Sequence, residues 1–333
     1  MKLSRCAIVA LLSAIIVAPA QATSQRTFVS TQGIDNPTCS LVAACRTFAA
    51  AIAATDAGGE VIVLDSGGYG PVTISQSVSI VAPPGVYAGV SVFSGTGINV
   101  AGPDAVVTLR GLTLTGLGGN LGILFTQGTL LVVEDCAISN FAGGISVGGS
   151  VKAVIARTRV QRSAVGIGAG NGAAVTVAHS IVEGATFAGV QATNSAPGVT
   201  TRLLVTDTVL ANGRIGIFGS GGSGAGPVRI SAERNQVLGT AVAPPSSYGI
   251  VAEGTGCPDN ECVRIVATDN VVTAVFNQGI IALPGTTVVA SGNRVTESGY
   301  GLYGSGGALW TLGNNTVEKN EVDTSGTILK SLR

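Results

Sequence analysis

From residue 110 onward, apolar side chains come in short alternations. Leu131 and Val133, Ala153 and Ile155, Val175 and Val177, and Leu203 and Val205 are each separated by one residue. A period of two predicts strands that present one face to a core. Each alternation runs into one of a series of marked positions: Leu112, Cys136, Thr158, Ser180, Thr208, Asn235, Asn270, Asn293 and Asn315. Two residues after each mark lies an aliphatic side chain, from Leu114 and Ile138 to Val295 and Val317. A second series consists of Gly followed by an apolar residue, at Gly122, Gly144, Gly166, Gly189, Gly216, Gly249, Gly279 and Gly301. Its steps are 22, 22, 23, 27, 33, 30 and 22 residues. The Gly mark leads the other by 14 residues in five coils, and by 19, 19 and 21 in the three that begin at Gly189, Gly216 and Gly249.

Two series that keep step imply a fixed unit of about 22 residues with insertions in three turns, which is the signature of a solenoid. Strands rather than helices fill the unit, and leucine-rich repeats would need several Leu at fixed spacing. The expected architecture is all-β: a parallel β-helix of about ten coils with three short strands per coil. Each strand would pair with its equivalent about 4.8 Å away, so one sequence position stacks on itself along the axis. Asn235, Asn270, Asn293 and Asn315 are then expected to form an inward amide ladder, because a buried amide is tolerated only when its partners are supplied. Thr, Ser, Cys and Leu take its place in earlier coils, which gives Cys136 a structural position. The repeated Gly is expected to relax the following turn.

The two ends read differently. Residues 1–22 carry Lys2 and Arg5, an apolar run from Ala7 to Val17, and small residues at Ala18, Ala20 and Ala22. That is the pattern of a secretory signal peptide cut after Ala22 or Ala20, and the run is too short to span a bilayer comfortably. Export to the periplasm, cell surface or medium is the expected location. Residues 23–70 are expected to form a cap continuous with the solenoid. An Ala-rich helix with Phe48 and Ile52 on one face is stopped at Gly58-Gly59, and strands follow at 61–64 and 72–80. A solenoid needs such a cap to shield its core and strand edges. Residues 71–333 are expected to be the β-helix with a C-terminal tail.

The order of Ala-rich helix, "AGGEVIVLDSGGYGPVTI" and Gly/Asn-marked coils resembles the right-handed parallel β-helix superfamily, often called pectin-lyase-like, over about residues 27–320. The resemblance implies the right-handed form of the coil. It also implies a relation to polysaccharide lyases, hydrolases, epimerases, phage tailspikes, adhesins and exported proteins without assigned function. The hydrolases carry clustered Asp with Gly-His-Gly and Arg-x-Lys segments, and neither segment occurs here; the only His lies in "VAHSIV". The lyases use acidic calcium ligands and an Arg or Lys base, and no compact acidic set matches them. The family's catalytic residues are therefore carried over to no position.

Composition narrows the partners. Charged residues make up 11% of the chain, against about 25% in ordinary globular domains. Without Lys2 and Arg5 the chain holds 16 cations and 18 anions, a net charge of −2. With no basic excess, nucleic acid and anionic membrane are not expected partners. In an oxidising compartment the closely spaced cysteines are expected to pair as Cys39–Cys45 and Cys257–Cys262, leaving Cys136 over. Zinc is disfavoured by a single His and by Cys spacings unlike those of a finger.

Two surfaces are candidates for function. Asp135, Arg157, His179, Asp207, Arg234 and Asp269 precede the ladder positions and should face outward in a stack. They read either as surface ion pairs or, with His179 between Arg157 and Asp207, as an acid–base group. Two residues after the Gly mark, Phe218, Val251, Ile281 and Tyr303 should point outward in successive coils, an exposed apolar strip of the kind that marks contact with a partner. Enlarged loops at 193–200, 219–227 and 254–262 would wall one side, with Asp259 and Glu261 on a disulfide-pinned loop and Tyr248 and Tyr300 close by. The expected function is a scaffold that contacts a polysaccharide or a cell-surface protein through this strip; the alternatives are a polysaccharide lyase or glycoside hydrolase, a structural protein with the strip buried against a second copy, or a strip covered by a loop or the tail "SGTILKSLR". Asp259 and Glu261 could bind calcium only with carbonyls or water to complete the set, and no other cofactor is expected. The Gly-rich loops lack the Lys and following helix of a phosphate-binding loop.

Overall fold

The computed structural model describes residues 24–239, 247–257 and 261–330. Among the described residues one helix, Phe48–Ala54, precedes a long succession of parallel strands. Every full coil has three of them. In one coil these are Gly143–Gly148, Lys152–Ala156 and Arg159–Gln161, and each pairs in register with its equivalents one coil away. The short third strands form an 11-stranded sheet. The first and second strands form two faces of a 22-stranded sheet. These two faces merge at the C-terminal end, where Tyr300–Thr311 pairs with both Gln278–Ala282 and Thr286–Ser291. The described part of the tail does not fold back over the surface. Residues Val322–Lys330 pair with Tyr300–Thr311 and add another rung.

The ladder lies at the corner between the second and third strands. Asn270 donates through its backbone N–H and its Nδ2 to Asn293 Oδ1, at 3.0 and 2.9 Å, and Asn293 does the same to Asn315 Oδ1, at 2.9 and 2.9 Å. Asn235 reaches Asn270 Oδ1 likewise. Each Nδ2 also donates to a main-chain carbonyl, as Asn293 does to Ala267 at 2.8 Å. Hydroxyls continue the column: the N–H of Thr208 donates to Asn235 Oδ1 at 3.1 Å, and that of Thr158 to Ser180 Oγ at 3.2 Å. The buried amides are thus satisfied by the rung beside them. Cys136 ends the column as a buried free thiol whose pKa burial pushes up to about 12, so it stays protonated.

From Cys136 to Asn293 the corner turns because the residue before the ladder position is left-handed. Asp135, Arg157, His179, Asp207, Arg234 and Asp269 all have φ between 49° and 55°. This turns their side chains away from the core. The opposite corner repeats the device at Asn140, Arg162, Ala274, Glu297 and Lys319. Asn320 therefore belongs to a repeated column of its own, whereas the spacing of the first column leaves it off the pattern. It accepts from Ser298 N–H at 3.0 Å and donates to the Val295 carbonyl at 3.0 Å, but it is only part-buried.

The helix packs Phe48, Ala51 and Ile52 inward and is capped by Thr47. It stops earlier than Gly58-Gly59 suggests. Thr55 ends it, donating its hydroxyl to the Ala51 carbonyl at 2.6 Å, and Thr55–Val63 is already a strand, paired with Ser24–Val29. The Cys39–Cys45 disulfide closes the loop between. Asp65 ties this region together: it accepts from Ser30 Oγ at 2.6 Å, Tyr69 OH at 2.6 Å and Thr31 N–H at 2.8 Å. Burial raises its pKa, but these hydrogen bonds outweigh it and hold the carboxyl at about 2. A depressed carboxylate stabilises the fold above the unfolded pKa near 4, and that contribution fades as pH falls towards 2. Asp65→Asn is expected to cost about 1–2 kcal/mol at pH 7, after allowance for solvent screening, and little at pH 2. Urea unfolding at the two pH values measures this.

Candidate functional site

The outer face of the first sheet carries the apolar strip. Phe218, Val251, Ile281 and Tyr303 stand opposite one another in consecutive strands, in register. The strip is not exposed as the alternation implies: Phe218, Val251 and Ile281 retain 6, 5 and 4% of their surface. The cause is a second outward column. Across the Gly mark two successive residues face inward, so the residue before the Gly faces outward as well. A Cβ on Gly216 would meet Val237 on the inside, and Ile217 is fully buried. Ala188, Ile215, Tyr248, Gln278 and Tyr300 therefore form a column parallel to the strip. Together with Phe187 and Leu283, side chains of the two columns pack into a small external cluster. Phe187 meets Phe218 edge-on at 5.4 Å, and Tyr300 lies 5.1 Å from Tyr303.

The cluster does not close completely. A depression of about 370 Å³ remains, lined by Phe187, Phe218, Tyr248, Val251, Ile281 and Tyr303, with Arg214, Glu253 and Gln278 at its polar edge. Gln278 Oε1 is buried there with no hydrogen-bond partner among the described residues. A buried acceptor of this kind costs about 1–3 kcal/mol until a donor reaches it. The lining offers aromatic surfaces, one waiting acceptor, one cation and one carboxylate. Glycoside hydrolysis ordinarily needs a pair of carboxylates, and Glu253 is the sole one among the described residues that line the depression.

The other sequence-derived candidates lie elsewhere. Asp259 falls outside the described residues. Glu261 is not turned towards the strip; it pairs with Arg229 on the second sheet at 3.2 Å. The Cys257–Cys262 bond forms beside it. Among the described residues no cluster of three His, Cys, Asp or Glu side chains could hold a metal. Arg157 is paired with Asp135 at 2.8 Å, and Arg234 with Asp207 at 2.9 Å. Hydrogen bonds from Arg234 and Thr206 hold Asp207 at about 2, which makes it a weak base near neutrality. His179 is exposed between these pairs. Sequence reasoning missed Gln278 and Arg214; the pairing of Gly with an inward apolar residue was the signal that the preceding side chain also faces out.

A stack of parallel coils with an amide ladder at one corner and a hollow on its outer face defines the class. The chain belongs to the right-handed β-helix family: the family described as "Right handed beta helix region" matches residues 96–263. Pectate lyase Pel9A is similar in structure, with a TM-score of 0.58 at 13% identity, over 93% of this chain and 79% of that one. The catalytic unit of the thermostable GH87 alpha-1,3-glucanase from Streptomyces thermodiastaticus strain HF3-3 gives 0.44 at 14% identity, over 93% and 71%. The mannuronan C-5 epimerase AlgE4 A-module of Azotobacter vinelandii gives 0.43 at 12% identity, over 83% and 91%. No curated protein matches the chain in sequence. The likeness to the pectate lyase is one of fold. No helix among the described residues is long and apolar enough to cross a membrane.

Proposed function

We propose that this chain is an exported β-helix scaffold that binds a polysaccharide in the depression on its first sheet, without turning it over. The observation that carries the reading is the buried, partnerless Oε1 of Gln278 beside the faces of Tyr248, Tyr303 and Phe218. A sugar presents an apolar ring face and a rim of hydroxyls, and this hollow offers an aromatic wall and an acceptor for one of them. Export through residues 1–22 belongs to the same proposal and is supported by two disulfides, which persist in oxidising compartments. The expected result on a glycan array is retention of a defined glycan. Tyr303→Ser and Gln278→Leu should each weaken it about tenfold, in line with loss of one well-placed contact. Phe218→Ser should weaken it too, by loosening the wall on Phe187. No unsaturated or reducing ends should appear. Retention untouched by Tyr303→Ser and Gln278→Leu would overturn the site. Sugar ends whose release stops on Glu253→Gln would replace binding with catalysis.

A further inference from the structure

The second sheet carries a different surface, which does not depend on the depression of the first. Its strands place one outward column at Leu130, Lys152, Ala174, Arg202, Arg229 and Arg264, in unbroken register. Three arginines thus stand on consecutive rungs about 4.8 Å apart, and Lys152 lies two rungs before them. Like charges directly opposite one another on a sheet are destabilising. The fold does little to relieve them. Arg229 has Glu261, but among the described residues neither Lys152, Arg202 nor Arg264 forms an ion pair. Lys152, Arg202 and Arg264 are exposed. On a chain with hardly any net charge, a cation on rung after rung is a local feature that packing does not require.

Beside the cations runs a second outward column: Val154, Thr176, Leu204, Ser231, Val266 and Val289, continued by Trp310. Side chains of the two columns bound an open trough of about 710 Å³ along the axis, with Glu233 on its far wall. Glu233 is itself within 3.8 Å of Arg234. The trough has a basic wall, a floor of apolar and hydroxyl side chains, and a straight course over several rungs.

We propose that this trough binds a linear anionic polysaccharide laid along the solenoid axis. Regularly spaced anionic groups on the chain would meet the cation column, where Arg binds carboxylate or sulfate with paired N–H donors. The ring faces would lie on the Val/Leu floor, and Thr176 and Ser231 would meet hydroxyls. Charge complementarity selects a polyanion. The floor selects a glycan over single-stranded nucleic acid, which relies on a series of aromatic platforms; the residues lining the trough include no aromatic side chain.

The test uses the full chain in affinity electrophoresis through dextran, carboxymethyl dextran and dextran sulfate, which share one backbone, with an oligothymidylate as a further probe. The wild type should be retarded by one or both charged dextrans, not by dextran, and release should follow addition of about 0.5 M salt. The two charged polymers separate carboxylate from sulfate recognition. The double variant R202Q/R264Q keeps the Arg229–Glu261 pair and changes only exposed side chains; it should bind roughly tenfold more weakly. Y303S, in the first-sheet depression, should bind the charged dextrans like the wild type. The proposal is overturned if neither charged dextran retards the wild type, if R202Q/R264Q binds unchanged, if the oligothymidylate binds as tightly, or if Y303S removes the binding. Success here with failure on the glycan array would separate the two surfaces.

Discussion

Asn293→Leu is expected to destabilise the fold by about 3–5 kcal/mol, and Asn320→Leu by about 1 kcal/mol. Leucine keeps the branched outline of asparagine but is bulkier, so the loss combines missing hydrogen bonds with some overpacking. At 293 it removes the acceptor of two donors on Asn270, the donor to the Ala267 carbonyl, and the donor to Asn315 Oδ1. Asn270 and Asn293 are 1% and 0% exposed, so water cannot replace those bonds. Each stranded buried group costs about 1–3 kcal/mol, partly relieved by small shifts of the rung. Asn320 makes bonds of the same kind at the other corner, but it is part-buried and water can take them over. Thermal and urea unfolding of the two variants give the comparison. Equal losses would mean that burial of the amide does not set the cost, and the account of the column as a buried network would fail.

That column was legible because it obeys the simplest rule a solenoid has: equivalent positions touch. The spacing from Cys136 to Asn315 contains it, and the hydrogen bonds follow the same order. The coil architecture and the parallel pairing were legible for the same reason, and both disulfides because each joins cysteines close in sequence. The burial of Phe218, Val251 and Ile281 was not. Strict alternation leaves an outward residue exposed, but the backbone at the Gly mark sets two inward residues side by side and brings Ile215 and Tyr248 up beside the strip. The place of Glu261 was hidden because a disulfide fixes the loop's span without fixing the direction its carboxylate takes. The cation column was present in the sequence, six residues before Thr158, Thr208, Asn235 and Asn270. Positions five and three before each mark define the core, so six and four before must face outward. Reading only the apolar half of that alternation passes over Lys152, Arg202, Arg229 and Arg264.

Gly249→Ala is expected to cost about 2–3 kcal/mol, and Gly168→Ala, in the same sheet, less than about 0.5 kcal/mol. The repeated Gly suggests a backbone that needs left-handed torsions, yet Gly249 is not among the positive-φ residues. Its constraint is the neighbouring rung. A Cβ at 249 would run into the carbonyl oxygen of Gly279, and one at Gly166 into that of Gly189; the same holds at Gly144, Gly216 and Gly279. The Gly column is therefore a seam where backbone meets backbone, and a methyl there must push two coils apart. Gly168 faces the other way: its nearest neighbour is the Gln191 side chain, 3.7 Å from a built Cβ, ordinary contact that a surface amide can accommodate. Because Tyr248 and Val251 flank Gly249 and line the depression, the displaced rung should also weaken glycan retention, whereas Gly168→Ala should leave it intact. Equal stability of the two variants would place the demand for glycine outside the contact between coils, and the seam would lose its explanation.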